Sequence, residues 1–144
     1  MAAALHRGLF QQNQVQVPEQ AESGSHYQSN QNILPSDIVC ESVTVKNTEY
    51  KVGMLVVLAV SSQDKITVGW IKKIVVRGSQ PYFLVLSRTC ARQMLRYFRS
   101  SGCQGQLEMK RHQDLRSFKP LIPRGNDEKF TFFLHGKLTD DPLD

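Results

Sequence analysis

Apolar and polar residues alternate in several short stretches of the chain, as in β-strands with one buried face. Residues 42–46, Ser-Val-Thr-Val-Lys, alternate strictly. Residues 54–60 are continuously apolar and rich in β-branched side chains, which is typical of a strand buried on both faces. Residues 130–134 contain three phenylalanines and predict a last strand or docking segment. Val57 and Ile71 lie in the most apolar stretches, so we expect both to be buried.

A longer stretch, residues 66–77, does not keep a single alternation. One extra residue in a strand moves every later side chain to the opposite face, so a β-bulge near Gly69 or at residues 72–73 would explain the slip. Residues 78–81, Gly-Ser-Gln-Pro, predict a turn, and residues 82–86 predict the next strand. Short strands with regularly spaced turns predict a mainly β protein, built as a small barrel or sandwich.

Residues 88–99 interrupt this pattern with apolar residues at helical spacing. One set falls at i, i+3, i+4 and i+7, the spacing of a buried helix face: Ala91, Met94, Leu95 and Phe98. On a helix, a neighbouring face would carry Arg88, Arg92, Arg96 and Arg99. The spacing therefore predicts one short helix in a mainly β fold. A pair of strands broken by a loop is the competing interpretation.

The first 40 residues differ in composition from the rest of the chain. They are rich in Gln and Asn, and their apolar residues are too scattered to offset the entropy cost of ordering. We interpret this segment as a spacer, although Gln/Asn bias can also favour self-association. The sequence predicts a disordered tail over 1–40, a β-rich basic domain over 41–135 and an acidic tail over 136–144.

Three segments resemble the opening of an SH3-like barrel: residues 43–45 (Val-Thr-Val), 50–56 (Tyr-Lys-Val-Gly-Met-Leu-Val) and 69–74 (Gly-Trp-Ile-Lys-Lys-Ile). They most resemble the start of bromo-adjacent homology (BAH) domains. The chain is also similar to the C-terminal module of uncharacterised, partly transposon-related animal proteins, through the Asp-Leu and Pro-Leu pairs within residues 114–121. The resemblance implies a BAH-like barrel that binds chromatin or a protein partner without catalysis.

Charge is concentrated in the middle of the chain. Residues 1–40 carry one Arg and three acids, residues 41–125 carry fifteen Lys/Arg and five acids, and residues 126–144 carry two Lys and five acids. A basic cluster with interleaved aromatic residues suits nucleic acid, because guanidinium groups bind phosphates and aromatic rings stack on bases. The same cluster could bind an acidic protein or the chain's own acidic tail, or be a solvated arginine-rich face that binds no ligand. Its members are Arg88, Arg92, Arg96, Arg99, Lys110, Arg111 and Arg116.

Three aromatic residues are candidates for a cage that binds a methylated lysine. Aromatic ring faces attract such cations, and the candidates are Tyr50, Trp70 and Tyr82. A core position is the alternative for Trp70, which is the one tryptophan of the chain.

Neither a metal site nor a catalytic motif is evident. The candidate ligands are Cys90, Cys103, His112 and His135, and no two of them have zinc-finger spacing. The sequence contains neither a Gly-x-Ser-x-Gly elbow nor a phosphate-binding loop. We therefore predict no catalytic residues, no metal and no cofactor, and keep an enzyme of unrecognised class as the least favoured alternative.

The remaining features concern location. Three widely spaced cysteines argue against a disulfide scaffold, and no stretch reaches the ~18 apolar residues of a membrane span. We expect an intracellular protein that does not enter membranes, with the nucleus as the compartment that the BAH resemblance implies. The preferred function is a non-enzymatic protein-interaction module, and the alternative is a nucleic-acid-binding domain that uses the arginine-rich stretch.

Overall fold

The computed structural model describes residues 15–27, 33–101 and 105–134. Within these ranges the chain forms mainly β-strands, with two 3₁₀ turns at Gly24–Tyr27 and His112–Asp114. The strands, in chain order, are β1 (Val15–Gln16), β2 (Glu22–Ser23), β3 (Ile38–Cys40), β4 (Ser42–Val45), β5 (Thr48–Lys51), β6 (Leu55–Ser62), β7 (Lys65–Arg77), β8 (Gln80–Met94), β9 (Tyr97–Ser100), β10 (Leu107–Arg111), β11 (Ser117–Leu121), β12 (Arg124–Gly125) and β13 (Phe130–Phe133).

Strands β7 and β8 form a long antiparallel ribbon at the centre of the fold. The turn between them uses Gly78 with a φ of 66°, which glycine adopts without strain. The register shifts between Ile71 and Lys73, which confirms the predicted slip and places it at residue 72. Gly69 has a different role: a Cβ there would lie 2.7 Å from the side chain of Val85, so only glycine allows this close packing.

The ribbon is buried on both faces, and a separate core lies on each. Alternation in β6 illustrates the division, because Val56 packs in the first core whereas Leu55 and Val57 pack in the second. The first core comprises Cys40, Val43, Val45, Tyr50, Val56, Ile71, Ile74, Val76, Phe83, Val85 and Leu115. The second core comprises Leu55, Val57, Ile66, Val68, Cys90, Phe98, Leu121, Phe130, Phe132 and Leu134. Val57 and Ile71 are both 0% exposed, which confirms their predicted burial.

The larger sheet curls around the second core. Its strands follow the order β11-β6-β7-β8-β9-β13-β12. The last strands return towards β7, since the rings of Trp70 and Phe130 lie 5.4 Å apart and Lys72 Nζ lies 2.5 Å from the Asp127 carboxylate. The result is a curled half-barrel, which confirms the mainly β fold class and is consistent with a small barrel. The smaller sheet, ordered β1-β4-β5, supplies first-core residues.

The helix predicted over residues 88–99 is wrong, and the competing strand pair is confirmed. Strand β8 continues to Met94, a two-residue turn follows, and β9 returns from Tyr97. Burial alternates with the period of two that a strand imposes: in β9, Phe98 and Ser100 are buried while Arg99 is exposed. Pairing with β7 and β9 on its two sides determines this conformation, and the spacing of apolar residues within 88–99 does not reveal either partner.

Within the predicted tail, residues 1–40, the structure describes residues 15–27 and 33–40, and both segments contribute short strands. Strand β1 pairs with β4, β2 with β3, and β3 with β7. The buried Asp37 carboxylate accepts hydrogen bonds from Arg77 Nε and Nη2, each at 2.8 Å, and from the backbone N–H of Leu34 at 2.7 Å. Sheet pairing, this ion pair and the buried side chains of Ile33, Val39 and Cys40 thus hold residues 33–40 in the fold. Residues 1–14, 28–32 and the predicted acidic tail lie outside the described residues.

Candidate functional site

The four arginines expected to share a helix face are divided among three places. Arg88 lies opposite Val68 and so points towards the second core, and Arg92 lies on the same face of β8. Arg96 is exposed in the β8–β9 turn, and Arg99 points outwards from β9. Because the segment is a hairpin and not a helix, its arginines do not form one surface.

Arg88 and Arg92 serve the fold. Arg88 is 6% exposed, and its Nη1 donates to the carbonyl of Ser101 at 3.3 Å. The Arg92 guanidinium lies 5.0 Å from the centre of the Phe98 ring and bonds to the β6–β7 turn, through the Gln63 carbonyl at 3.0 Å and the Asp64 carboxylate at 3.2 Å. Both guanidinium groups therefore bind other parts of the same chain.

The other basic candidates lie on and after β10, away from β9. Lys110 pairs with Glu108 at 3.0 Å and Arg111 with Asp114 at 3.3 Å. The hydrogen bonds between these two side chains, together with their opposite charges, raise the pKa of the Arg111 guanidinium and lower the pKa of the Asp114 carboxyl. Arg116 is half-buried, and its backbone N–H donates to the Val57 carbonyl at 2.8 Å. The predicted seven-residue cluster is thus not one face.

A different basic group forms on the outer face, which we define as the side of β7, β8, β9, β13 and β12 that points away from the second core. Directly opposed residues of antiparallel strands point to the same side. One such row crosses all five strands and comprises Lys65, Ala91, Arg99, Thr131 and Arg124. Lys65, Arg99 and Arg124 are exposed. With ~4.8 Å between strands, the row extends about 19 Å.

An apolar row lies beside the basic row on the same face. Met94 is opposite Tyr97, and Tyr97 is opposite Phe133. The rings of Tyr97 and Phe133 lie 5.0 Å apart at an angle of 45°. Met94 is 64% exposed and Phe133 is 51% exposed, so both offer apolar surface to a ligand.

Positive charge predominates on the outer face. No described residue of the basic row or of the apolar row is acidic. Asp64, in the turn before β7, already pairs with Arg92. On the other side of the basic row, Thr67 faces Thr89 and adds hydroxyl groups. Cations, hydroxyls and an exposed aromatic ring therefore share one surface, and the exposed carboxylate of Asp64 lies at its edge, where it pairs with Arg92.

The three aromatic residues proposed as a cage are not brought together. Tyr50 is 0% exposed in the first core, where its hydroxyl donates to the Phe118 carbonyl at 2.7 Å and contacts His112 Nε2 at 3.1 Å. Trp70 packs beside the second core. Tyr82 packs at a third cluster, under the Arg77 guanidinium. The three residues lie on β5, β7 and β8 and pack at three different clusters, so the structure does not bring them together as one cage.

The described residues offer little for metal or nucleophilic chemistry. They contain no group of three or more His, Cys, Asp or Glu that is placed to hold a metal ion. Burial raises the pKa of the Cys40 thiol to about 11 and that of Cys90 to about 12, so both thiols are protonated near neutral pH. Burial also lowers the pKa of His112. Cys103 and His135 lie outside the described residues.

No model of a known protein family matches this chain, and neither a curated protein nor a solved structure matches it. The SH3-like and BAH-like resemblance therefore stays a prediction. No helix among the described residues is long and apolar enough to span a membrane.

The sequence pattern identified Arg99 as a candidate but not Lys65, Arg124 and Phe133, which lie on the same face of the sheet. Lys65 follows a polar turn, Arg124 follows a proline, and Phe133 lies 34 residues after Arg99. Nothing local in the sequence links these positions. Only the register of β7, β8, β9, β13 and β12 places them in adjacent rows.

Proposed function

We propose that this chain is a non-enzymatic binding module whose outer face binds single-stranded nucleic acid. One observation carries the proposal: the exposed charges of Lys65, Arg99 and Arg124 lie in a row directly beside the Tyr97–Phe133 pair. Phosphates interact with cations through Coulomb attraction and counterion release. Bases that are not paired can stack on an aromatic ring, whatever their sequence.

The arrangement favours single strands over duplexes. A duplex presents its phosphates outwards and keeps its base faces stacked, so it could use the basic row but not the aromatic pair. A single strand could place its backbone along the basic row and a base against Phe133. We therefore expect weak dependence on base sequence and strong dependence on salt.

The proposal is tested by titrating a labelled 12-nucleotide single strand and the matching duplex with the full chain. Stacking contributes about 1–3 kcal/mol per base on alanine substitution, so Phe133→Ala should weaken single-strand binding by about fivefold or more. Duplex binding should change little. Phe118 is also 51% exposed but lies on β11, so Phe118→Ala is the matched control. If the wild-type chain binds neither nucleic acid at low salt, the proposal fails.

A protein-interaction module is the second candidate function. Met94 and Leu95 are 64% and 82% exposed at the end of the outer face, and apolar surface of this kind is common where proteins associate. The adjacent cations favour a partner with an acidic surface. An acidic peptide that binds at the outer face, while nucleic acids do not, would support this candidate. Association with chromatin and a nuclear location stay predictions from the resemblance.

A further inference from the structure

The turn between β8 and β9 presents apolar side chains that the fold does not use. Leu95 is 82% exposed and Met94 is 64% exposed. Neither belongs to a core cluster of the described residues. Leu95 directly follows Met94, and Met94 shares a row with the exposed Phe133, so these side chains form an apolar patch of the kind that marks binding sites.

The backbone of this turn is strained and firmly held. Leu95 has a φ of 31°, in the left-handed region that residues other than glycine and asparagine rarely adopt. Arg92 Nη1 donates to the Leu95 carbonyl, and the Leu95 turn is thereby tied to the β6–β7 turn that Arg92 also contacts. The backbone N–H of Leu134 donates to the Arg96 carbonyl at 2.8 Å. Both carbonyls of the two-residue turn are therefore bonded.

The turn also has a defined position relative to the outer face. Met94 is in the apolar row with Tyr97, and Leu95 follows it at the end of the face. Arg96, in the same turn, is exposed. Along β9 the basic row at Arg99 is followed by the apolar row at Tyr97 and then by the turn, so Leu95 lies beyond the apolar row on the side away from the basic row.

We propose that Met94 and Leu95 form an apolar wedge, which inserts between bases where a nucleic-acid duplex opens into single strand. This inference rests on the proposed function and specifies its substrate as a fork between duplex and single strand. Leucine and methionine are among the side chains that proteins insert between base steps. Insertion requires a projection that does not collapse, and the hydrogen bond from the Leu134 N–H to the Arg96 carbonyl ties this turn to the end of β13.

Charge complementarity decides between a nucleic acid and an uncharged apolar partner. Arg96 in the turn and Arg99 two residues into β9 are both exposed, and Lys65 and Arg124 continue the positive surface. While the wedge separates the last base pair, the basic row would hold the released strand. The cost of unstacking is a few kcal/mol per step, so a partly open fork is favoured over a closed duplex.

The test compares a fork, a blunt duplex and a single strand, with a fluorescent base analogue at the junction that brightens when it unstacks. Wild-type protein should brighten the fork and bind it about tenfold more tightly than the blunt duplex, which corresponds to 1.4 kcal/mol. The variant is Leu95→Asn, because asparagine tolerates positive φ and removes the apolar side chain. Its preference for the fork should fall below about threefold and its brightening should be lost, while single-strand affinity stays within about twofold.

The matched control is Ile122→Asn, an exposed apolar residue that is 64% exposed and follows β11. It should behave as wild type, and an unchanged thermal midpoint should show that both variants fold. If wild type binds single strands without preferring the fork, or if Leu95→Asn retains the preference, the wedge is refuted and the proposed function stands. If wild type binds no nucleic acid, both proposals fail. Binding to anionic vesicles or to an acidic protein in that case would assign the turn to another ligand.

Discussion

Removing the three charges of the basic row should flatten the salt dependence of nucleic-acid binding. The variant combines Lys65→Gln, Arg99→Gln and Arg124→Gln, all at exposed strand positions. Because exposed charges contribute little to stability, the thermal midpoint should change little. The assay is fluorescence anisotropy with a labelled 12-nucleotide single strand, repeated at salt concentrations from low to physiological.

The expected magnitude follows from counterion release. For single strands, the logarithm of the binding constant falls with the logarithm of salt concentration with a slope of about −0.7 for each phosphate that is neutralised. Three fewer contacts therefore make the slope shallower by about 2. If binding in 1 M salt is unchanged, affinity at 0.1 M salt should fall about 100-fold.

A control with equal loss of charge separates the basic row from net charge. Lys46→Gln, Lys51→Gln and Lys119→Gln remove three exposed charges from the β4–β5 turn, β5 and β11, none of which forms the outer face. The slope in this control should stay close to wild type. Equal slopes in wild type and the basic-row variant would refute the proposed contacts, and equal losses in both variants would show that only net charge matters.

Three further predictions concern stability and use thermal or urea unfolding. Ile71→Ala should destabilise the fold by about 2–4 kcal/mol, because Ile71 is 0% exposed; a loss below about half a kcal/mol would contradict its core position. Asp37→Asn should cost about 1.5–3 kcal/mol by weakening the bonds from Arg77. The hydrogen bonds and charge of Arg77 lower the pKa of Asp37. The stability that this carboxylate contributes should therefore be complete above about pH 4 and be lost as the pH falls through the folded-state pKa. The Asp37→Asn variant should lack this part of the acid dependence. Burial and the charge of Lys46 lower the pKa of His112. The free energy of unfolding should therefore be highest above about pH 6.5 and fall at lower pH, where His112 takes up a proton in the unfolded chain. His112→Gln should remove that fall, and a variant whose stability depends on pH as in wild type would contradict a neutral buried imidazole.

The strands were predictable because their signal is local. The alternation of residues 42–46 became β4, the slip within residues 66–77 became the bulge in β7, and residues 130–134 became β13. Each of these patterns is contained in a few neighbouring residues. The division into two cores was not predictable in the same way, because it depends on which strands lie on each side of the β7–β8 ribbon.

The N-terminal segment shows a second limit of local reasoning. Its composition indicates weak intrinsic order, yet Asp37 is 1% exposed and bonded to Arg77, 40 residues away. The bidentate ion pair acts together with the pairing of β3 and β7 and with the burial of Ile33, Val39 and Cys40. Composition averages over the segment and does not reveal such a contact.

The arginines of β8 show why residue spacing alone could not locate the site. Arg88 and Arg92 are four residues apart, and this spacing places two side chains on one face of a helix or of a strand. The spacing therefore contained no information on which structure was present. In the strand, the shared face points to the second core, so Arg88 is buried and Arg92 binds the β6–β7 turn. The exposed charges of Lys65, Arg99 and Arg124, which we propose to bind phosphates, fall in one row only through the register of five strands.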